Sequence, residues 1–366
     1  MIFRRFYDDA LAQASYMVGC EQRSEAVVID PNMDIDVYVR AAQDEGVRIA
    51  AVTETHIHAD FASGARALAA AVGAELHLSA EGGIEWRYGF AHDGDVHPLH
   101  DGDALTVGRV QLQARHTAGH TPEHLCFIVT DTTRSDVPVG AMTGDFLFVG
   151  DVGRPDLLER AAGKAGTMRD AAASLYASIQ SFKPLPDHLL IWPGHGAGSA
   201  CGKAMSAAAQ STLGYERVAN WALAPMSESE FIAAVLEGQP EAPPYFGAMK
   251  LHNRDSQLRT TPRAPRRMDG GEVASLMATT DAILLDVRNP DEFDRGHIAG
   301  AMLIPLPELA ARRAELRRDV PIVVTCQRGG RSAVGAATLD AFGFTDVHEL
   351  RGGFAAWQAA GHPVEA

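Results

Sequence analysis

Short apolar runs separated by polar turns mark the chain up to about residue 255. Ser24–Asp30 and Val47–Val52 are predicted as buried strands, while Ile35–Asp44 and Ala62–Val72 have apolar residues at helical spacing. Later runs are shorter and predict strands at Glu75–Ser79, Ala104–Val107, Val110–Ala114 and Leu125–Thr130. This order predicts a mixed sheet system with helices on its outside, and therefore an α/β class of fold.

The pattern becomes helical at Met168–Ser181, and again from Ala207 to about Leu236, before Gly238–Pro244 breaks it. The segment Arg254–Arg267 then carries five arginines and two prolines, a composition typical of a linker between domains. We therefore predict a first domain over residues 1–253, a linker over 254–267 and a second domain over 268–366.

Strands and helices alternate in the predicted second domain. Glu272–Met277 is helical in pattern, Ala282–Leu285 and Pro321–Thr325 are strand-like, and a helical pattern continues through Ala341. Such alternation indicates crossover connections between parallel strands. The sequence thus predicts a small parallel α/β domain here.

The composition of the 366 residues, 46% hydrophobic and 22% charged, is that of an ordinary globular protein. Thirty-two basic against 47 acidic residues give a net charge of -15, which should repel nucleic acid and anionic membrane surfaces. We therefore expect a small-molecule substrate and a solvated linker. The opening residues lack the apolar core of a signal peptide, so the expected compartment is the cytoplasm, and a homo-oligomer is left open.

Candidate metal ligands recur just beyond the ends of strand-like runs. They are His56, His58, Asp60, His120, Asp145 and His195. A single histidine in such a position is more often a loop residue bonded to the backbone. Because the pattern is repeated on several loops that a rigid sheet would hold, the set predicts a metal site.

These elements resemble a known superfamily. The order His-x-His-x-Asp, Gly-His-Thr, Gly-Asp, Pro-Gly-His makes residues 1 to about 255 similar to the metallo-β-lactamase superfamily. The resemblance implies an αββα sandwich with the metal at the shared edge of its two sheets.

Within that superfamily the chain resembles the persulfide dioxygenases. By that resemblance, one iron(II) per chain is held by His56, His120 and Asp145. Two imidazoles and one carboxylate leave open positions for substrate and dioxygen. His58, Asp60 and His195 then orient the ligands or accept hydrogen bonds from metal-bound water. The two-metal hydrolases usually close the first loop with a histidine, whereas this chain has Phe61, which favours a single metal.

The resemblance also assigns Arg154, in Gly153-Arg154-Pro155-Asp156, to a carboxylate of the thiol carrier, expected to be glutathione. An ordinary ion pair is the alternative for this arginine. Among the cysteines, Cys201 is a candidate pocket residue, Cys126 is predicted as a buried small hydrophobe, and Cys20 has no assigned role.

A second candidate site is the loop Cys326-Gln327-Arg328-Gly329-Gly330-Arg331-Ser332, between a strand and a helix. Backbone N–H groups of such a loop can converge on the sulfur, which suits a nucleophile better than the alternative of a core cysteine. The spacing of four residues between Cys326 and Arg331 is one shorter than the phosphate cradle of tyrosine phosphatases, which favours a persulfide sulfur.

Together with Asp286-Val287-Arg288, Glu292-Phe293 and the segment Gly296–Ala301, the loop makes residues 268–366 resemble a single active rhodanese domain. The resemblance implies that Cys326 and Arg331 are catalytic. Gln327, Arg328, Gly329 and Gly330 would then form the persulfide loop.

The reading that combines both resemblances is a persulfide dioxygenase fused to a rhodanese. Glutathione persulfide and O2 would give sulfite and glutathione, and Cys326 would exchange sulfane sulfur with thiosulfate or sulfite. Two alternatives stay open: a zinc-dependent thioester hydrolase of the glyoxalase II type fused to a rhodanese, and a non-enzymatic sulfur-relay protein.

Overall fold

The structure, a computed structural model, describes residues 1–8, 11–157, 159, 166–239, 242, 246–255 and 265–365. Its strands up to residue 212 are β1 Ile2–Asp8, β2 Gln13–Cys20, β3 Glu25–Ile29, β4 Arg48–Thr53, β5 Glu75–Ser79, β6 Val96–Leu99, β7 Ala104–Val107, β8 Val110–His116, β9 Leu125–Asp131, β10 Gly140–Gly144, β11 Leu190–Pro193 and β12 Ser211–Thr212. The helices of this part are α1 Asp36–Asp44, α2 Ala65–Val72, α3 Met168–Phe182, α4 Leu213–Ala219, α5 Glu228–Leu236 and α6 Phe246–Asp255.

The remaining strands are β13 Arg266–Met268, β14 Ile283–Asp286, β15 His297–Ile298, β16 Met302–Leu303, β17 Ile322–Thr325, β18 Val347–Leu350 and β19 Val364–Glu365. The remaining helices are α7 Gly270–Thr279, α8 Pro290–Asp294, α9 Leu306–Arg312, α10 Gly330–Ala341 and α11 Gly353–Ala359. The elements form two compact units, the first with β1–β12 and α1–α6, the second with β13–β19 and α7–α11.

Two six-stranded sheets form the first unit, in the orders β1-β2-β3-β4-β5-β6 and β12-β11-β10-β9-β8-β7. Their inner faces share one core that includes Tyr16, Leu112 and Phe127. A second cluster packs α1 and α2 against the first sheet, and a third packs α3, α4 and α5 against the second sheet. These layers are the αββα sandwich that the sequence predicts, and burial on both faces explains why every residue of β2 is buried.

The start of the chain and the segment before α6 differ from the sequence prediction. Strands β1 and β2 pair along their whole length but were not predicted. The single helical run expected from Ala207 to Leu236 is wrong, because it is divided into β12, α4, a 3-10 turn and α5. The side chains of Thr212, Asn220 and Ser227 each accept an N–H at the start of a new helix, which explains the division.

The second unit has a five-stranded parallel sheet in the order β13-β18-β17-β14-β16. Its core includes Val273, Val323, Leu350 and Trp357. Arg266 and Arg267 were predicted as linker, but they belong to β13 and pair with β18. Arg254 and Asp255, at the start of the expected linker, lie in α6, and residues 256–264 lie outside the described residues. No helix among the described residues has the length and apolar character that crossing a membrane requires.

Candidate functional site

Four strands end where the candidate metal ligands begin. His56 and His58 follow β4, and His120 lies between β8 and β9. Asp145 and His195 follow β10 and β11, which run parallel and therefore end at the same edge of the second sheet. The backbone N–H of Leu125 donates to the Thr55 carbonyl at 2.7 Å and links the first of these loops to the second sheet.

Three of the predicted ligands meet in one place. The donor atoms of His56, His120 and Asp145 lie within 4.8 Å of one another, and all three residues are buried. The His56 ring lies 5.0 Å from the His120 ring, centroid to centroid, at nearly a right angle. Burial together with the neighbouring imidazoles holds the pKa of His56 well below its usual range, which favours the neutral form that binds metal.

The proton on the His56 ring is placed by Thr55 and Asp30. The Thr55 hydroxyl donates to Asp30 Oδ2 at 2.9 Å and lies 3.0 Å from His56 Nδ1. Because this hydroxyl has one proton and gives it to the carboxylate, it accepts from Nδ1–H. The lone pair of His56 is therefore on Nε2.

His120 and His195 have the same tautomer for a different reason. Nδ1 of His120 donates to the Arg154 carbonyl at 3.1 Å, and Nδ1 of His195 donates to the Ala12 carbonyl at 2.9 Å. Each Nε2 then lies 3.5 Å from an Asp145 carboxylate oxygen. A lone pair facing a carboxylate is unfavourable unless a cation lies between them, so this arrangement fits a metal ion.

The Asp145 carboxylate fits the same interpretation. Neither of its oxygens accepts a hydrogen bond from a described residue, although both are buried. Its backbone N–H donates to His124 Nε2 at 3.1 Å, and His124 Nδ1 is bonded to Thr117 at 2.9 Å. A Cβ at Gly144 (φ +48°) would lie 2.6 Å from the Thr55 hydroxyl, so only glycine fits beside the site.

His58 is turned toward Asp30 and two glutamates are buried nearby. His58 Nε2 lies 3.0 Å from Asp30 Oδ1, and the same oxygen accepts the Thr55 N–H at 2.6 Å. Burial raises the pKa of Glu54 to about 6 and that of Glu123 to about 7. Glu123 Oε1 accepts the Ile57 N–H at 2.8 Å, which holds the backbone between the two histidines.

Asp60 and His195 belong to a second group of donors. Their ligand atoms and Cys201 Sγ lie within 4.8 Å of one another, and all three residues are buried. Phe61, beside Asp60, is fully buried and supplies no ligand atom. The chain therefore brings together five of the six predicted residues in two adjacent sets, with Cys201 as an addition and His58 bonded to Asp30.

Arg154 makes a buried ion pair, the alternative left open for it, and its binding of a thiol-carrier carboxylate stays a prediction. Its guanidinium is fully buried and donates through Nε and Nη2 to the two Asp156 oxygens, each at 2.8 Å. Nη1 donates to the Ala200 carbonyl at 3.0 Å, and the Arg154 N–H donates to the Cys201 carbonyl at 3.3 Å. These contacts join the segments that carry His120 and Cys201, so Arg154 holds both segments in position.

Cys126 agrees with its prediction as a core residue. It lies within β9 and is fully buried, and burial raises the pKa of its thiol to about 12. Its thiol is thus protonated and inert at neutral pH. Cys20 is also buried, in the core between the sheets.

Cys326 directly follows β17 and lies before α10, as the sequence predicts. Its Sγ is buried and accepts the Gly329 N–H at 3.1 Å. Gly330 begins α10, so the sulfur faces the start of a twelve-residue helix. A Cβ at Gly353 (φ +60°) would lie 2.3 Å from the Cys326 carbonyl, so this loop also needs glycine opposite it.

The other side chains of this loop are held from outside it. Arg331 makes a bidentate pair with Glu292, both N···O distances being 2.6 Å. Burial raises the pKa of Glu292, but the hydrogen bonds and charge of Arg331 outweigh it and the net pKa lies below its usual value. Gln327 accepts from Arg288 at 3.1 Å, and Arg328 is exposed.

Sequence reasoning did not assign Asp30, Thr55 or His124 to the site. Asp30 stands at the end of a predicted strand, as the ligands do, and that position was the available signal. Thr55 and His124 act through hydrogen bonds to their neighbours, for which the sequence carries no distinctive pattern.

The chain matches two family descriptions. Residues 8–195 match the metallo-beta-lactamase superfamily, and residues 269–360 match the rhodanese-like domain. A solved metallo-beta-lactamase structure from Staphylococcus aureus subsp. aureus COL is 36% identical, covers 96% of this chain and 99% of that chain, and superposes with a TM-score of 0.70.

Each of the following curated relatives matches only part of this chain. The human mitochondrial persulfide dioxygenase ETHE1 is 28% identical, over 53% of this chain and 68% of its own length. Hydroxyacylglutathione hydrolase of Polaromonas sp. is 32% identical, over 53% and 66%. The thiosulfate sulfurtransferase GlpE of Pseudoalteromonas translucida is 34% identical, over 24% and 85%.

A further relative, YqhL of Bacillus subtilis, is 47% identical over 21% of this chain, and the match spans only 60% of that protein. The family matches agree with the fold of each unit and with the clustered metal-ligand side chains at the sheet edge. The chain therefore belongs to the metallo-beta-lactamase superfamily, with a rhodanese-like domain following the domain that carries this match.

Proposed function

We propose that the first domain is an iron(II)-dependent persulfide dioxygenase acting on glutathione persulfide. In this reaction glutathione persulfide, O2 and water give glutathione, sulfite and two protons. The observation that carries the proposal is the grouping of His56, His120 and Asp145, because two imidazoles with one carboxylate are the ligand set of non-haem iron(II) oxygenases.

The residues around this set have definable tasks. His56, His120 and Asp145 would hold a ferrous ion, which would supply open positions for the persulfide sulfur and dioxygen. Asp30, through Thr55, keeps the His56 lone pair on Nε2, and Arg154 does so for His120 through its carbonyl. Burial of the set limits competing access by water.

Two further observations support the dioxygenase. Phe61 is buried and supplies no ligand atom, whereas the two-metal hydrolases that the chain resembles usually have a histidine there. The human persulfide dioxygenase is 28% identical to this chain over 53% of its length.

The test measures metal content and oxygen consumption of the anaerobically purified full chain. We expect about one iron per chain and uptake of one O2 per glutathione persulfide. Asp145→Asn should lose iron and uptake together, whereas Asp131→Asn, at a distant carboxylate paired with the N-terminus, should keep both. Two zinc ions per chain without oxygen uptake would contradict the proposal.

For the second domain the proposed activity is sulfur transfer through a Cys326 persulfide, with thiosulfate and glutathione as partners. The Gly329 N–H and the start of α10 stabilise negative charge on Cys326, which suits an attacking sulfur. The match to a thiosulfate sulfurtransferase supports thiosulfate as a donor.

Cys326→Ser should abolish sulfur transfer from thiosulfate to glutathione, because a hydroxyl cannot form a persulfide. Cys126→Ala should retain it, since that thiol lies in β9 of the other unit. Unchanged transfer in Cys326→Ser would remove Cys326 from the mechanism.

A glyoxalase II-type thioester hydrolase is the second candidate for the first domain. The specific observation in its favour is the additional group of Asp60, His195 and Cys201, which could hold another metal ion. The match to a hydroxyacylglutathione hydrolase at 32% identity points the same way. Hydrolysis of a glutathione thioester by zinc-loaded protein, with no oxygen uptake by iron-loaded protein, would select this candidate.

A further inference from the structure

His124 is a buried histidine that contacts two of the three clustered ligands without being one of them. Its Nε2 lies 3.1 Å from the backbone nitrogen of Asp145, and its Nδ1 lies 2.9 Å from the Thr117 hydroxyl. Its ring lies 5.1 Å from the His56 ring, centroid to centroid, at an angle of 27°. His124 and Thr117 are both fully buried. Because both ring nitrogens are engaged with protein groups, His124 is not available as another ligand.

The partners of His124 fix which ring nitrogen carries its proton. A backbone N–H can only donate, so Nε2 of His124 accepts from Asp145 through its lone pair. A protonated, cationic ring has no lone pair on either nitrogen, so this contact requires the neutral form. The single proton of the neutral ring is then on Nδ1 and is donated to the Thr117 hydroxyl oxygen.

The peptide that leads into Asp145 lies close against the His124 ring. A Cβ at Gly144 would lie 2.8 Å from His124 Nε2, so glycine is needed for this close approach. The Asp145 carboxylate accepts no hydrogen bond from a described residue, and its direction therefore depends on how its backbone is held. The bond between the Asp145 N–H and His124 is a point at which the protein can fix that direction.

His124 also lies where the two sheets of the first unit meet. His56 follows β4 of the first sheet, whereas Asp145 follows β10 of the second, and His124 directly precedes β9. The next residue, Leu125, donates its N–H to the Thr55 carbonyl, which holds this strand beside the His56 loop. One ring thus contacts a ligand from each sheet.

We propose that His124 is a positioning residue of the metal centre, which holds the Asp145 backbone by a hydrogen bond and the His56 ring by stacking, while Thr117 keeps the His124 lone pair on Nε2. The inference rests on the metal set of the proposed function, which the dioxygenase and the thioester hydrolase share. It makes the placement of two ligands depend on one side chain that binds no metal itself.

A role in packing alone predicts a different result. Another aromatic ring in place of His124 would then leave metal binding unchanged, because only its volume would matter. A positioning role predicts that such a ring weakens metal binding, because the Asp145 N–H loses its acceptor. Loss of a group that supports a ligand typically costs about 10- to 100-fold in metal affinity.

The experiment titrates the metal-free full chain with cobalt(II) and follows the visible absorption of the bound ion. His124→Phe should bind cobalt(II) at least about tenfold more weakly and should shift the absorption bands. His124→Gln, whose side-chain oxygen can accept a hydrogen bond near the Nε2 position, should recover most of the affinity. The matched control is His188→Phe, which removes a ring bonded to the Pro138 carbonyl and should bind cobalt(II) as the unmodified chain does.

Heteronuclear NMR of the imidazole nitrogens in the metal-free chain tests the tautomer. His124 should carry its proton on Nδ1, and Thr117→Val should move the proton toward Nε2, because Nδ1–H loses its acceptor. The same variant should weaken cobalt(II) binding, since Nε2 can then no longer accept from Asp145. Thr117→Ser, which keeps the hydroxyl, should restore both properties.

Unchanged cobalt(II) affinity and absorption bands in His124→Phe would overturn the proposal, as would an unmodified His124 that carries its proton on Nε2. If His124→Phe does not fold, Thr117→Val decides, because a moved proton with unchanged cobalt(II) binding would also overturn it. Failure of the proposed dioxygenase would show separately, as an unmodified chain that binds cobalt(II) but takes up no oxygen with glutathione persulfide when it is loaded with iron(II).

Discussion

His56, His120 and His195 all lie just beyond strand ends, but different partners hold their rings in place. His56 depends on Thr55 and Asp30, whereas His120 and His195 donate to backbone carbonyls. A backbone carbonyl cannot be removed by substitution. The metal site should instead be sensitive to substitution of the residue whose side chain holds that carbonyl in place. For His120 that residue is Arg154.

Arg154→Lys should reduce iron occupancy at least tenfold at limiting metal, as typically follows the loss of a group that orients a ligand. Lysine keeps the charge but loses the fork that binds both Asp156 oxygens and the Ala200 carbonyl. Elemental analysis and a glutathione persulfide titration provide the measurements. Arg66→Lys, at an ion pair with Asp93 in the same unit, is the matched control.

If Arg154 instead binds the glutathione carboxylate, the Lys variant should keep its iron and raise KM alone. This comparison separates the role inferred from family resemblance from the role inferred from geometry. Sequence could place Arg154 near the ligands, but it could not reveal Asp156 as its bidentate partner, because side-chain pairing depends on how the loop folds back.

Glu292 predicts a pH dependence of stability in the second unit. Its pKa lies below the ordinary value of 4.5, since the Arg331 pair outweighs the effect of burial. The contribution of the Glu292–Arg331 pair to the free energy of unfolding is therefore fully present above about pH 4.5. It is lost as the pH falls through the lower pKa that Glu292 has in the folded state. Glu292→Gln should destabilise the unit by about 1–2 kcal/mol at pH 7.

Urea unfolding of the wild type and Glu292→Gln at pH 7, 5 and 3.5 provides the measurement. The difference between their unfolding free energies should shrink at the lowest pH. A difference that stays constant across this range would mean that the ion pair does not set it.

The side-chain amide of Asn253, in α6, hydrogen-bonds to the loop that follows β4 and carries His56 and His58. Asn253 Nδ2 donates to the His58 carbonyl at 2.8 Å, and Asn253 Oδ1 accepts the Ser63 N–H at 3.0 Å. One side chain thus closes the loop on both sides of Asp60 and Phe61. The helix itself is anchored by Phe246 and Met249, both buried.

Asn253→Ala should weaken cobalt(II) binding and alter the visible spectrum of bound cobalt, because the loop carrying His56 and His58 loses its closure. Asn253→Asp should be more severe, since a carboxylate cannot donate to the His58 carbonyl. A loss of about 1–3 kcal/mol in stability is also expected from the buried groups left unpaired.

The control is Tyr176→Phe, which removes a hydrogen bond to the Met226 carbonyl in another part of the unit. If Asn253→Ala and Tyr176→Phe lose equal stability and both leave the cobalt spectrum unchanged, α6 does not shape the loop.

The sequence predicted elements well where periodicity and caps agree. The strands before His56, His120 and Asp145 were all predicted, because each is a short apolar run that ends in polar residues. The error at Ala207–Leu236 came from following apolar spacing alone, although Ser227 and Glu230 form a capping box that is visible in the sequence. Asn253 could not have been identified, since its contacts lie 195 and 190 residues away.

At the scale of the whole molecule, each unit has its own sheets and its own hydrophobic core. Removal of metal by a chelator should therefore lower the melting temperature of the first unit and leave that of the second unchanged. Metal bound at 100 times its Kd contributes about 2.7 kcal/mol to the folded state. Calorimetry with and without chelator provides the measurement, and an equal shift of both transitions would contradict it.

The buried Trp357 gives the second unit an optical signal of its own. The chain has four tryptophans, of which Trp86, Trp192 and Trp221 lie in the first unit. Trp357 packs in the core of the second unit and donates through its indole N–H to the Pro363 carbonyl. With phenylalanine at the other three positions, fluorescence emission would come from Trp357 alone, so quenching and red shift would follow the unfolding of the unit that contains Cys326.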